Sequence, residues 1–258
     1  MAGRFEGKVA VITGAAGGIG RATAARLASE GARIVAVDLD RDGVEEVARR
    51  AESCGTEALP LAADVSDSAA AARWVAASLQ RFGGIDFLFN NAGIEGVVAP
   101  FEEYPDEVFD RVMAVNVRGA WLSIKHAMPA IRARGGGSIV NTSSVAGLTG
   151  NPLVCAYVTS KHALIGLTRA AATAGGPAGV RVNAICPSPV DTRMMRSLEE
   201  GFSPGAPEVA QALMTARIPL GRYATADEVA GVVAFLFSDD ARFVNGAVYT
   251  VDGGMTTA

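Results

Sequence analysis

The sequence predicts an α/β protein in which one parallel sheet is covered by helices on both faces. Two observations carry this. Short Val/Ile-rich runs of strand length recur seven times, and between them lie stretches whose apolar residues recur at helical spacing. Strands separated by helices of this length imply right-handed βαβ units, hence parallel strands buried on both faces. A third observation sets the domain count. No Pro/Gly/Ser-rich linker, internal repeat or low-complexity tract divides the 258 residues, so residues 1–258 are expected to form a single domain.

Residues 8–13 (KVAVIT) form the first expected strand, stopped by Gly14. Residues 18–31 then read as helix, with Ile19, Ala22, Leu27 and Ala28 apolar and Gly31 as the stop. Residues 33–38 (RIVAVD) are the next strand and 42–54 the next helix. The alternation continues with strands at 57–62, 85–90, 137–143 and 180–186, and helices at 68–82, 105–134 and 153–174. A last helix at 226–237 precedes a last strand at 247–251. One stretch is irregular. Residues 188–221 carry Pro189, Pro204, Pro207 and Pro219, and a loop this long in a compact domain is usually a lid or binding loop.

Composition removes several function classes. Half the residues are hydrophobic and the mean hydropathy is +0.26, which excludes a largely disordered chain. A net charge of −4 and a pI near 5.3, with no basic run, argue against nucleic-acid or polybasic membrane partners. The longest apolar stretch, 229–237, is about half of what a membrane-spanning helix needs. The start, MAGRFEGKVA, has no apolar segment before its first charges, so no signal peptide is expected. Cys54, Cys155 and Cys186 are odd in number and widely spaced. They suit a reducing cytoplasm, where the protein is expected, and neither a disulfide framework nor a zinc site. With only two His, no metal site is expected.

At the first strand-to-helix turn stands TGAAGGIG, Thr13 to Gly20. Gly14, Gly17, Gly18 and Gly20, with Ile19, let the backbone approach a pyrophosphate while the following helix aims its amides and positive dipole end at it. Tight helix–strand packing also selects glycine. Asp38, 24 residues after Gly14 and next to Leu39, ends the second strand. There a carboxylate accepts from both adenosine ribose hydroxyls and repels the 2′-phosphate of NADP. No Arg or Lys among Ala15, Ala16 and Gly17 compensates, so NAD is preferred over NADP, with Arg41 leaving room for dual use. Asp64 and Val65 are placed for the adenine amino edge or, equally, for a helix cap.

Tyr157 and Lys161 stand four apart, on one face of a helix. A free tyrosine has a pKa near 10, and a buried cation beside it is expected to lower that value toward the range of a useful base. A surface Tyr/Lys pair is the competing explanation. Composition bears on the choice, because the 23 basic residues comprise 20 Arg and only Lys8, Lys125 and Lys161. A chain that uses Arg for almost every cation needs a reason for a lysine, and a guanidinium cannot replace a compact ammonium packed beside a phenol. Lys125, beside His126, is expected on the surface.

These motifs, with NNAG at 90–93, NVRG at 116–119, NTSSVAG at 141–147, RVN at 181–183 and VDGG at 251–254, occur in one order along nearly the whole chain. In that ordered set the sequence resembles the classical short-chain dehydrogenases/reductases. The resemblance implies a doubly wound Rossmann fold with a seven-stranded parallel sheet, usually in homotetramers. It implies Tyr157 as acid/base, Lys161 as the group that lowers its pKa and holds the nicotinamide ribose, and Ser144 as a hydrogen-bond partner of the substrate oxygen. Asn116 would complete a tetrad by positioning a water in a proton relay. Asn91, Ala92 and Gly93 would line the cofactor, Asn91 most directly, and Pro187, Ser188, Val190 and Thr192 would embrace the nicotinamide carboxamide. Candidates for the substrate pocket are Glu95, Gly96, Asn151, Leu153, Val154, Met194, Met195, Leu198 and Phe202, with Arg193 and Arg196 within reach.

Two departures stand out. Pro187-Ser188-Pro189 replaces the usual Pro-Gly, and if position 188 needs positive φ, Ser costs roughly 1–2 kcal/mol relative to Gly. Ala174-Gly175-Gly176 ends the helix of Tyr157 where relatives have Glu and a bulky residue. The expected activity is hydride transfer between NAD(H) and a neutral secondary alcohol or ketone. The alternatives are an NADPH-dependent 3-oxoacyl-carrier-protein-type ketoreductase and, from another class, a catalytically silent dinucleotide sensor.

Overall fold

The computed structural model describes residues 3–257. Its seven strands are β1 (Val9–Thr13), β2 (Arg33–Asp38), β3 (Ala58–Ala62), β4 (Phe87–Asn90), β5 (Gly137–Thr142), β6 (Val180–Pro187) and β7 (Val248–Val251). All are parallel, in the order β3-β2-β1-β4-β5-β6-β7. Helices α1 (Gly18–Ser29), α2 (Arg41–Ser53) and α3 (Ser68–Phe82) follow the first three strands.

Strand periodicity explains the two cores. Ala10 and Ile12 of β1 face one side with Ile34 and Ala36 of β2, under α1, α2 and the last helix, Ala226–Phe237, while Val9, Val11, Val35 and Val37 face the other. Every residue of β1 is buried, as a strand covered on both faces requires. The second face is closed by α3, α5 (Gly119–Ala133) and α6 (Cys155–Gly175).

Two expected elements differ. The helix predicted over 105–134 is α4 (Asp106–Met113) and α5 joined by one π-helical turn, Ala114–Arg118. A π turn widens the helix by one residue and commonly marks a functional position; Asn116 is within it. The stretch at 188–221 is not an irregular loop, since it holds α7 (Arg193–Phe202) and α8 (Pro207–Ala216). Its prolines avoid helix interiors: Pro207 stands in the first turn, where its missing N–H is harmless, and the other three lie outside. The segment's two feet are tied together by Ala224 N–H donating to Pro189 O and Asp191 N–H donating to Ala224 O, both 3.0 Å. From Thr225 the chain enters α9 (Ala226–Phe237) through a capping box with Glu228.

The chain leaves β1 toward β2 and β3, then crosses to β4 on the other side of β1. Where the order reverses, outside the C-terminal ends of β1 and β4, an open parallel sheet leaves a crevice. Thr13 stabilises that edge by accepting from Asn91 N (3.2 Å) and Ala92 N (3.3 Å). A buried side-chain ladder then sets α6 against the sheet. Asn90 Nδ2 donates to Asn141 Oδ1, and Asn141 Nδ2 donates to Thr168 Oγ1, both at 2.8 Å. Replacing Asn141 by Ala removes one buried hydrogen bond from each neighbour, leaving Asn90 Nδ2 with Ala120 O at 3.4 Å and Thr168 Oγ1 with Leu164 O at 2.7 Å. It is expected to cost about 2 kcal/mol and to lower the thermal midpoint by about 4–8 °C, measurable by calorimetry.

Candidate active site

A groove of about 380 Å³ lies across the C-terminal ends of β1, β2, β3 and β4. Of the predicted cofactor residues, Gly14, Gly17, Gly18, Ile19, Asp38, Leu39, Asp64, Val65, Asn91, Ala92, Gly93 and Thr192 line it, as does Met194. Gly20 does not. A Cβ there would collide with the Gly14 carbonyl, so Gly20 packs helix against loop from behind. Gly14, at φ +65°, faces the Ala92 backbone so closely that a Cβ would come within 2.8 Å. Pro187, Ser188 and Val190 are also off the groove wall and buried.

The groove suits a dinucleotide. The first turn of α1 carries no acid and its N-cap, Gly17, offers no side chain, so the amides at the positive end of the helix are open to an anion. Asp38 shapes the far wall: its carboxylate accepts from Ala16 N at 3.0 Å and Asp40 N at 3.2 Å. Asn91 Nδ2 is committed to Gly14 O at 3.0 Å. Asp64 Oδ1 accepts from both the amide and the hydroxyl of Ser66, which hold that carboxyl below the usual range. Only its second oxygen is open to a base edge. Ala16, Asp40, Ala63, Ile94, Arg111 and Val115 also line the groove and were not among the expected cofactor residues. Ala16 stands inside the glycine loop and could have been found there; Arg111 and Val115 arrive from the α4–π segment, with no local motif to mark them.

Tyr157 and Lys161 are brought together on α6, with the Lys161 ammonium 5.2 Å from the centroid of the phenol ring. Lys161 is 4% exposed and donates to Thr142 O at 2.8 Å. Burial drives its pKa from 10.5 down to about 8. The phenol departs from expectation. Desolvation raises it from 10.0 to about 12, against the opposing hydrogen bond of Ser144 and with the Glu95 charge adding to the rise. The ammonium lies against the ring and spends a donor on the Thr142 carbonyl, so desolvation dominates.

Ser144 caps the 3-10 turn Val145–Gly147, accepting from Ala146 N at 3.1 Å. Its neighbour Ser143 turns the other way and donates to Lys161 O at 2.8 Å, fastening this turn to α6. Asn116 is 1% exposed and nearly saturated: Nδ2 donates to Ile94 O and Ser160 Oγ, both 3.0 Å, and Oδ1 accepts from Ile94 N at 2.8 Å. One acceptor site remains. Gly93 joins groove and cluster, since a Cβ on it would be 3.3 Å from Asn116 Oδ1 and 3.6 Å from Lys161 Nζ.

Position 188 resolves one departure. No residue other than glycine has positive φ among those described, so Ser188 is unstrained, and its N–H donates to Val251 O at 3.2 Å. Among the substrate candidates, Asn151 Oδ1 accepts from Leu153 N at 2.9 Å, and Leu153 O accepts from Ala99 N at the same distance. They tie the segment after NNAG to the start of α6. Val154 is buried, while Glu95, Gly96, Met195, Leu198 and Phe202 are partly buried. Lys125 lies exposed over the Trp121 ring, at 5.1 Å. Among the described residues no acid, His and Cys cluster is arranged to hold a metal ion, and no helix is long and apolar enough to cross a membrane.

Known proteins match along the whole chain. The family model described as enoyl-(acyl carrier protein) reductase matches residues 14–256. Levodione reductase of Leifsonia aquatica is 42% identical over 257 residues, 99% of this chain and 96% of that protein. Cyclohexanol dehydrogenase of Acinetobacter sp. (strain SE19) is 39% identical over 257 residues, 100% of this chain and 98% of that one. The crystal structure of an NAD+-bound xylitol dehydrogenase superimposes with a TM-score of 0.92 at 40% identity, covering 97% of this chain and 99% of the other.

Burying an ammonium whose pKa falls to about 8 opposes folding. Lys161→Met should therefore raise the thermal midpoint at pH 7, by about 2–4 °C for each kcal/mol relieved. Below pH 8 the lysine is charged in both states and the penalty is fully present. Between pH 8 and 10.5 the folded state loses the proton first, so wild-type stability rises and the gap to the variant narrows. Midpoints measured across pH 7–10 check both the sign and the window.

Proposed function

This chain belongs to the short-chain dehydrogenase/reductase family and is an oxidoreductase; on that premise we propose that it interconverts a neutral secondary alcohol and its ketone using NAD(H), with Tyr157 as acid/base. One observation carries the proposal: Ser144, Tyr157 and Lys161 converge where β5 meets α6, and Gly93 links them to a groove that ends at Asp38.

A nicotinamide dinucleotide in the groove supplies the hydride acceptor for the alcohol and the hydride donor for the ketone. The rest falls to the chain. Ser144 donates its hydroxyl to the substrate oxygen and so fixes it beside the phenol. In reduction Tyr157 gives its proton to the developing alkoxide, and in oxidation it takes the alcohol proton. With its pKa raised, the phenol keeps its proton for the reduction direction, and its conversion to a base depends on positive charge gathered around it. Lys161 supplies one such charge and reaches the ribose side through Gly93. Asn116 acts first as a positioning residue for Ile94, and its one remaining acceptor site faces the relay.

Asp38 supports NAD over NADP. Its charge is held at the ribose end by two backbone amides, and neither the glycine loop nor Leu39 or Asp40 brings a cation. The Glu95 charge felt at the phenol disfavours anionic substrates, and the likeness to cyclohexanol dehydrogenase supports a cyclic alcohol. The homotetramer that the family resemblance implies is part of the same proposal.

Initial rates with NAD and NADP across a panel of cyclic and linear secondary alcohols test this. NAD is expected to give kcat/KM at least about tenfold higher, and Asp38→Ala to narrow the gap. Tyr157→Phe should lower kcat about a hundredfold or more with NAD affinity retained. Undiminished turnover in that variant overturns the mechanism, and a preference for NADP overturns the role of Asp38.

A further inference from the structure

Helix α7 holds a buried carboxylate for which the reaction above has no use. Glu199 is 2% exposed, and among the described residues of α7 it alone is buried. Its place in the sequence calls for an apolar residue. Met195 stands four residues before it and Phe202 three after, on the same face of the helix, with Leu198 beside them. A leucine at 199 would continue that stripe. A carboxylate taken out of water instead weakens the fold unless charge and hydrogen bonds compensate it.

The compensation comes from both feet of the segment. Arg196 Nη1 donates to the two Glu199 oxygens, at 3.2 and 3.0 Å, and the other arm of the same guanidinium pairs with Asp191 at the first foot. From the second foot comes Tyr223. Burial and the Glu199 carboxylate raise the pKa of its phenol, and its hydroxyl meets Met214 Sδ of α8 at 3.5 Å. One carboxylate is thus the junction of α7, α8 and the two feet.

The far side of α7 is held by shape alone. The methyl group of Thr192, its N-cap, would come within 2.8 Å of a Cβ on Gly18. Gly201, two residues beyond Glu199 and so on the other side of the helix, leaves no room for a Cβ, which would stand 2.6 Å from Val98 Cγ2. Apolar contact of this kind is non-directional, so it fixes the distance of the helix and not its rotation. Charge-assisted hydrogen bonds have direction and fix both. Rotation decides which of Met194, Met195 and Leu198 fronts the substrate.

We propose that Glu199 is a positioning residue for the alcohol: through Arg196 and Tyr223 it sets the rotation of α7, and with it the substrate wall that Met194, Met195 and Leu198 form. This rests on the dehydrogenase reading above and adds to it what holds that wall in place.

Steady-state kinetics, calorimetry and amide hydrogen exchange of Glu199→Leu test the proposal. Leucine continues the apolar stripe and removes a buried charge, so the thermal midpoint should stay at or above that of the wild type. KM for the alcohol should rise about tenfold while kcat stays within about twofold, the mark of a misplaced wall and intact chemistry. NAD affinity should be retained. Amides of α7 should exchange about tenfold faster, with those of the sheet unchanged. Glu199→Gln, which keeps the shape and loses the charge, should raise KM about threefold. Adding Arg196→Met to Glu199→Leu should raise it no further, because both act through one junction. An unchanged KM in Glu199→Leu overturns the proposal. So does a lower midpoint joined to losses of kcat and NAD affinity, which would mark a general defect. Wild-type protein that turns over no alcohol would overturn the dehydrogenase reading instead, and the exchange rates would still decide whether Glu199 holds α7.

Discussion

Everything around the reacting cluster is arranged to keep one charged amine out of water. Lys161 is buried against the Tyr157 ring with a single carbonyl as hydrogen-bond partner, and burial pushes its pKa down to about 8. A group so held weakens the fold unless its surroundings are rigid. The surroundings are rigid in specific ways. Ser143 fastens the turn after β5 to the Lys161 carbonyl. Gly147 lacks the Cβ that would strike Ser143 Oγ and crowd the Lys161 carbonyl. The Asn90–Asn141–Thr168 ladder sets α6 on the sheet. These contacts are polar and buried, so each is expensive to leave half made.

The same rigidity explains why the cofactor groove and the reacting cluster act as one site. The groove belongs to the β1/β4 switch point, and the cluster belongs to β5 and α6. They meet at the strap 91–94, which Thr13 holds from one side and Asn116 from the other. Asn116 can reach the strap because the π turn displaces its side chain from the regular helical path. A straight helix over 105–134 would carry the same residue in another direction.

The sequence made legible what short-range chemistry dictates. Periodicity marked all seven strands. Inner strands such as β1 and β4, buried on both faces, have no alternative to a continuous apolar run, while the edge strands β3 and β7 are only partly buried. Tyr157, Lys161, the glycine loop and Asp38 were singled out by type and spacing, and Ser144 by the family resemblance. The π turn was not, because its cause is tertiary: Asn116 bonds to Ile94, 22 residues away. Helices α7 and α8 were hidden by four prolines, whose harmless positions depend on element boundaries accurate to one residue. The raised pKa of Tyr157 was also out of reach. Spacing gives the neighbour's charge, but the sign of the shift comes from how much water the fold removes.

The scarcity of lysine now has a physical account at one of its three positions. The Lys161 cavity offers one carbonyl and one aromatic face. An ammonium, compact and with three rotatable donors, can use both. A guanidinium would bring five donors in a rigid plane, leave most of them unpaired and remain charged at any accessible pH. Lysine differs in that last respect too. With its pKa near 8, it is mostly protonated at neutral pH and begins to lose its charge as pH rises past 8, where anions drawn into the groove favour the protonated form. That form is the one that steadies a phenolate. The choice of lysine in an arginine-rich chain thus links the occupancy of the groove to the strength of the base.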